Sequence, residues 1–262
     1  MAVKVGGQAL ADGVLMRTDR AWAIARADGS VEVGSVAPVG RLGRVPGLRV
    51  LVGVFRALQL VFGRGLRRRR LDRRLLTVVL GLEAVLVAVG LLLPDLGAHG
   101  GVWAVAAPWA LTLAVLRLAT PRALWRYHGA EHKAVAAHEE GVDMDDTAAV
   151  LRCSRLHDRC GTNLVFLMLL FGLLFAGLPG AVQLPAFLGS LAVSAELVTV
   201  AASRPRARLS RLLLLGGRAV QRYVTTAEPT PAEQAVACRA LAACRAEHHR
   251  LTAASVPLAA AA

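Results

Sequence analysis

Apolar and polar positions alternate along residues 21–36, AWAIARADGSVEVGSV, around Asp28-Gly29. That dipeptide favours tight hairpin turns, so a small N-terminal β-hairpin is expected. The pattern then changes period. Residues 46–62, PGLRVLVGVFRALQLVF, are apolar but carry Arg49 and Arg56 on one helical stripe. This reads as an amphipathic helix in a membrane interface, because a spanning helix would bury both arginines at high cost. Four further runs, 75–93, 102–119, 163–182 and 186–202, are continuously apolar. Each approaches the roughly 20 residues that cross a hydrocarbon core. Residues 208–223, RLSRLLLLGGRAVQRY, read as a basic amphipathic helix. Thr230 is the expected N-cap of a last helix, with Pro231 in its first turn and Glu233 closing a capping box.

Composition sharpens this picture. Hydrophobic residues are 55% of the chain and charged residues 19%, against about 45–50% and about 25% in ordinary soluble domains. Disorder is excluded by the apolar content. Four cysteines in 262 residues exclude a disulfide-stapled module, and they are expected to be reduced thiols. The net charge of +13 is nearly all arginine, Lys4 and Lys133 being the only lysines. These arginines cluster at 64–74, 122–159 and 204–222, while the connections 94–101 and 179–185 have none. Read as a positive-inside pattern, they report topology rather than a nucleic-acid site, and membrane lipids become the expected surroundings. The N-terminus lacks the apolar core of a signal peptide.

The expectation is therefore a mainly α, polytopic helical membrane protein with four transmembrane helices, in a bacterial cytoplasmic membrane with both termini cytoplasmic. Its parts would be an N-terminal segment with the hairpin (1–45), the interfacial helix and basic stretch (46–74), two spans (75–120), a cytoplasmic His/Cys loop (121–162), two more spans (163–202) and C-terminal helices with a tail (203–262).

Chemistry concentrates in the 121–162 loop. His128 and His132 are four apart, one helical turn on one face, which is the spacing at which two imidazoles grip one metal ion. Glu131 between them makes an H-x-x-E-H string, the pattern of inverted zinc peptidases, in which the carboxylate serves as general base. His157 and Cys160 are three apart and could supply further ligands. Four protein ligands would make a closed, structural Zn²⁺ site; three would leave a position open for chemistry. His138 is read as solvated, and Asp145 or Asp146 as the cap of a following helix. Glu83 and Glu196 fall within expected spans and are candidate intramembrane polar groups. Gly6-Gly7-Gln8 matches the release-factor tripeptide, but its surroundings support no such activity.

The strings GGQALADGVLMR, RYHGAEHK, SRLHDRCGTN, SAELVTVAASR and YVTTAEPTPAEQAVACRAL together resemble the YqhQ-like bacterial membrane proteins, the family of domain of unknown function 1385. That resemblance implies a metal-dependent enzyme, with His128, Glu131, His132, His157 and Cys160 as site candidates and Glu196 as the acidic residue of the last span. Asp12 departs from the glutamate expected in the opening motif, which changes its reach if it contacts the site. The favoured reading is a zinc-dependent hydrolase with a peptide or lipid-linked substrate at the cytoplasmic leaflet. Its competitors are a non-catalytic scaffold with a structural zinc, and a small transporter or lipid-handling protein using Glu83 and Glu196.

Overall fold

The computed structural model describes residues 3–37, 102–175 and 180–254, with isolated positions between 45 and 85. The expected interfacial helix at 46–62, the basic stretch after it, the span at 75–93 and Glu83 lie outside the described residues, apart from those isolated positions. The chain divides into two compact units. One comprises Met1–Val39, Pro121–His157 and Thr225–Ala262, and the other Gly40–Thr120 and Asp158–Val224.

The first unit is built on an antiparallel meander of β1 (Gly6–Leu10), β2 (Gly13–Arg17), β3 (Ala21–Arg26) and β4 (Val31–Ser35) in sequential order. The expected hairpin is β3–β4, with Gly29 at φ +86° in its turn. The strands β1 and β2, whose Leu10 pairs with Gly13, come from a segment expected only to be tightly turned. Strand parity explains the core. Ala21, Ala23 and Ala25 of β3 and Val14 and Met16 of β2 share one face. Their small size lets two helices lie against the sheet.

In the numbering used here, Val102–Ala119 is α1, Arg122–Glu140 is α2, Thr147–Arg152 is α3, Gly161–Phe175 is α4, Gly180–Ser203 is α5, Arg208–Val220 is α6 and Pro231–Ala254 is α7. Helices α2 and α7 cover the alanine face through Tyr127, Ala130, Ala134, Val236, Ala237, Ala240 and Leu241. The C-terminus of α2 is closed by Gly141 at φ +73°, whose N–H bonds the Ala137 carbonyl. At the start of α7 the capping box forms: Thr230 N–H donates to Glu233 Oε2 at 2.8 Å, and Glu233 N–H to Thr230 Oγ1 at 3.3 Å. Asp146 caps α3 through the Ala149 N–H at 2.9 Å.

The second unit holds α1, α4, α5 and α6. Close approach of α4 and α6 is permitted by Gly216 against the Phe166 ring and Gly217 against Asn163. Asn163 accepts a hydrogen bond from Gln221 at 3.2 Å, and Arg218 grips Asp158 with two bonds of 2.8 Å.

These elements correct the transmembrane expectation. Among the described residues no helix is long and apolar enough to cross a membrane. Pro108 and Arg117 lie within the continuous helix α1, and α5 carries Gln183, Pro185 and Glu196 along its length. The polytopic architecture, the multi-pass assignment and the inner-membrane location drawn from it are withdrawn. Part of the charge among the described residues is used within the fold. Several basic residues assigned to topology are paired inside the units: Arg126 with Glu233, Arg155 and Lys133 with Glu228, and Arg218 with Asp158.

Candidate metal centre

Helix α2 places His128 and His132 one turn apart, with ring centroids separated by 4.4 Å. Each ring makes one short hydrogen bond to a backbone carbonyl. His128 Nδ1–H donates to Thr225 O and His132 Nδ1–H donates to Arg155 O, both at 2.6 Å. A carbonyl oxygen only accepts, so the proton of each neutral ring sits on Nδ1 and the lone pair on Nε2. Those two Nε2 atoms lie 3.9 and 3.8 Å from a single oxygen, Glu131 Oε2. Anchoring the second ring nitrogen on a carbonyl is the outer-shell arrangement of metal-binding histidines.

Glu131 is held from the sheet. The Gly7 N–H bonds its carboxylate. A Cβ at Gly7 would stand 2.6 Å from Glu131 Cγ and 2.8 Å from Oε1, so β1 can reach this side chain only with glycine there. Gly7 of the Gly6-Gly7-Gln8 string thus has a packing origin, whereas a Cβ at Gly6 would meet nothing. Burial pushes the Glu131 carboxyl up to about 7, opposed by His128 and the Gly7 N–H. Its folded-state value exceeds the unfolded one of 4.5. The metal-free protein therefore has this group's full stabilisation below about pH 4.5 and loses it as pH rises through about 7, roughly 3 kcal/mol in total. Glu131→Gln, which mimics the protonated acid, flattens that part of the stability profile. Denaturant titrations in chelator across pH 4.5–7 check this, and equal slopes in both proteins would refute it.

A strap of residues 225–228 sets both carbonyls. Arg155 donates through Nη1 to Thr226 O at 3.1 Å and Thr226 Oγ1 at 2.9 Å, and its Nε meets Glu228 at 2.9 Å. Glu228 also pairs with Lys133 at 3.0 Å, and the Lys133 ammonium donates to Leu151 O and Cys153 O at 2.7 and 3.0 Å. Strap and helix touch at Gly129, where any Cβ would collide with the Ala227 carbonyl. Arg155 therefore positions His132 through its own backbone and secures the strap that positions His128. Arg155→Met is expected to weaken zinc affinity by about 10–100-fold. Competition against a chromophoric chelator measures this; unchanged affinity would show that the carbonyls hold their places without the side chain.

The remaining sequence candidates are placed as follows. The His157 ring centroid lies 5.8 Å from that of His132, and its Nε2 is 3.3 Å from Glu139. Cys160 is buried just before α4, and its sulfur accepts the Thr162 N–H at 3.5 Å. Asp12 sits in the β1–β2 turn, where its carboxylate pairs with the buried Arg26 at 3.2 Å. Glu196 is half-buried in α5 of the second unit. His138, expected to be solvated, is half-buried and bonds Val3 O at 2.9 Å. Sequence reasoning missed Gly7, Lys133, Arg155, Thr225 and Glu228. One signal was available for Lys133: a lysine in a chain whose other basic residues are nearly all arginine marks a place needing a compact point charge with three donors.

Among the described residues, His128, His132 and Cys160 make a candidate metal-ligand set by donor type. No curated protein and no solved structure matches the chain. Residues 101–247, more than half of its length, match the family described as Protein of unknown function (DUF1385), and the chain belongs to that family.

Proposed function

We propose that this protein is a zinc-dependent hydrolase whose metal is held by His128, His132 and one of His157 or Cys160, with Glu131 as general base. The observation that carries the reading is the pair of Nδ1–H···O=C bonds at 2.6 Å, which leave two Nε2 lone pairs free, 3.9 and 3.8 Å from one carboxylate oxygen. Two imidazoles with a thiolate or a third imidazole suit a borderline-soft ion such as Zn²⁺. The sequence spacing of three places Cys160 next after His157 as a sulfur donor. Zinc bound there would polarise a carbonyl and bring the pKa of water toward neutrality. The chain's own contribution is to hold the two ring tautomers and keep the base against Gly7. The substrate class that fits is one with an electrophilic carbonyl, a peptide first.

Burial favours a second reading. The side chains of His132 and Glu131 are only 3% and 8% exposed, which suits a closed, structural zinc that staples α2 to the strap. One experiment separates the two. Wild type and Glu131→Gln are purified after zinc is offered back, then compared for zinc content by mass spectrometry and for cleavage of a mixed peptide library. The enzyme reading expects about one zinc per chain in both and a loss of cleavage of about 10²–10⁴-fold in the variant. Zinc in both with no cleavage by wild type establishes the structural site instead. No zinc in wild type overturns both readings.

A further inference from the structure

We infer that the first unit carries a separate binding cavity for a small phosphate monoester, between the C-terminal end of α2 and the C-terminal half of α7. It stands independently of the histidine centre. The cavity measures about 400 Å³, within the range of small-ligand sites. Val3, Val142 and Met144 are its apolar lining, and Arg245, His138 and His249 supply the polar groups.

Arg245 is the central group. It is half-buried, yet among the described residues its guanidinium has no hydrogen bond or ion pair. Other arginines of α7 are engaged: Arg239 donates to Arg26 O at 3.2 Å, and Arg250 is held by Glu247 with two bonds of 2.7 Å. The nearby acids are directed elsewhere. Glu139 meets His157, Asp143 accepts the Asp145 N–H, and Asp146 caps α3. None of them lines the cavity. A guanidinium half removed from water without an anion is a preorganised fork for an oxyanion, which it binds through two parallel N–H bonds.

His138 selects among oxyanions. Its Nε2–H is spent on Val3 O at 2.9 Å, so Nδ1 remains with a lone pair in the neutral ring. A phosphate monoester near its second pKa, about 6, carries a P–OH that can donate to such a nitrogen. A carboxylate at the same pH has no proton to give. His249, exposed at the rim, adds a second donor. The apolar lining requires an organic substituent on the phosphate to cover it.

Titration calorimetry with inorganic phosphate and with phenyl phosphate tests the assignment on the full chain. Phenyl phosphate is expected to bind one site at least fivefold more tightly than inorganic phosphate. Arg245→Gln should weaken it at least tenfold and His249→Gln about threefold, while Arg250→Gln and His132→Ala leave it unchanged. An equal loss in Arg250→Gln would show attraction to the overall positive charge and overturn the site. So would wild-type affinity in Arg245→Gln, loss in His132→Ala alone, or no preference for the phenyl ester. Because Arg245 is only half-buried and His249 is exposed, their glutamine variants are expected to fold, which circular dichroism verifies.

Discussion

Replacing His132 by alanine is expected to lower zinc affinity by about 10²–10³-fold, the largest effect of any single change at the centre. A protein zinc site is worth about 10–16 kcal/mol shared among its ligands, so one ligand accounts for about 3–4 kcal/mol. The substitution also leaves the Arg155 carbonyl without its 2.6 Å donor inside the fold, costing about 1–3 kcal/mol of stability even without metal. The two effects separate experimentally: zinc affinity by chelator competition, and metal-free stability by urea denaturation. His128→Ala should lose similar zinc affinity. Its ring is 19% exposed against 3% for His132, so the accompanying loss of stability is smaller. Zinc held by His132→Ala at wild-type affinity would refute the ligand assignment. His157→Ala then identifies the third donor. Unchanged affinity leaves Cys160 in that position, whereas a loss as large as that of His132→Ala puts His157 there.

The second large effect is expected at Gly129. No side chain can be placed there without striking the Ala227 carbonyl. That carbonyl belongs to a strap anchored by Ala227 N–H on Trp125 O at 2.9 Å and by Arg155 on Thr226. Because the obstacle is backbone, relief requires moving the strap. Gly129→Ala is expected to cost about 3 kcal/mol, at the upper end of overpacking, and to weaken zinc binding by shifting Thr225 O away from His128. Gly161→Ala provides the comparison. A Cβ there meets nothing, so it should be neutral or stabilise by up to about 1 kcal/mol. If the two variants unfold at the same urea concentration, the strap is not braced against α2.

The contrast between those glycines shows how far the site could be read in advance. That His128 and His132 share a face follows from the helical period alone, and Glu131 between them is one turn from His128. Their tautomers do not follow, because the carbonyls that set them belong to residues 97 and 23 positions away. Likewise, nothing next to Gly7 in the sequence indicates that β1 packs against Glu131. Asp12, considered for the centre, instead neutralises Arg26 in a buried pair. Cys160 stood out by its spacing from His157, and its ligand role belongs to the proposal.

Local features were therefore determined by sequence alone: the Asp28-Gly29 turn, the Thr230–Glu233 capping box, a helix cap at Asp145 or Asp146, which the structure assigns to Asp146, and the one-turn spacing of the histidines. Each depends on residues within four positions of one another, where backbone geometry leaves few alternatives. Membership of the family was legible for a related reason, since its strings occur in order along the chain. Only the tertiary structure decided which of the described basic residues are paired and which described apolar positions are buried. An apolar helix face buried against a sheet or another helix has the same composition as one facing lipid. An arginine paired with a distant carboxylate has the same letter as one facing a headgroup. Burial and pairing are properties of positions brought together by folding, and a one-dimensional pattern carries no record of that proximity.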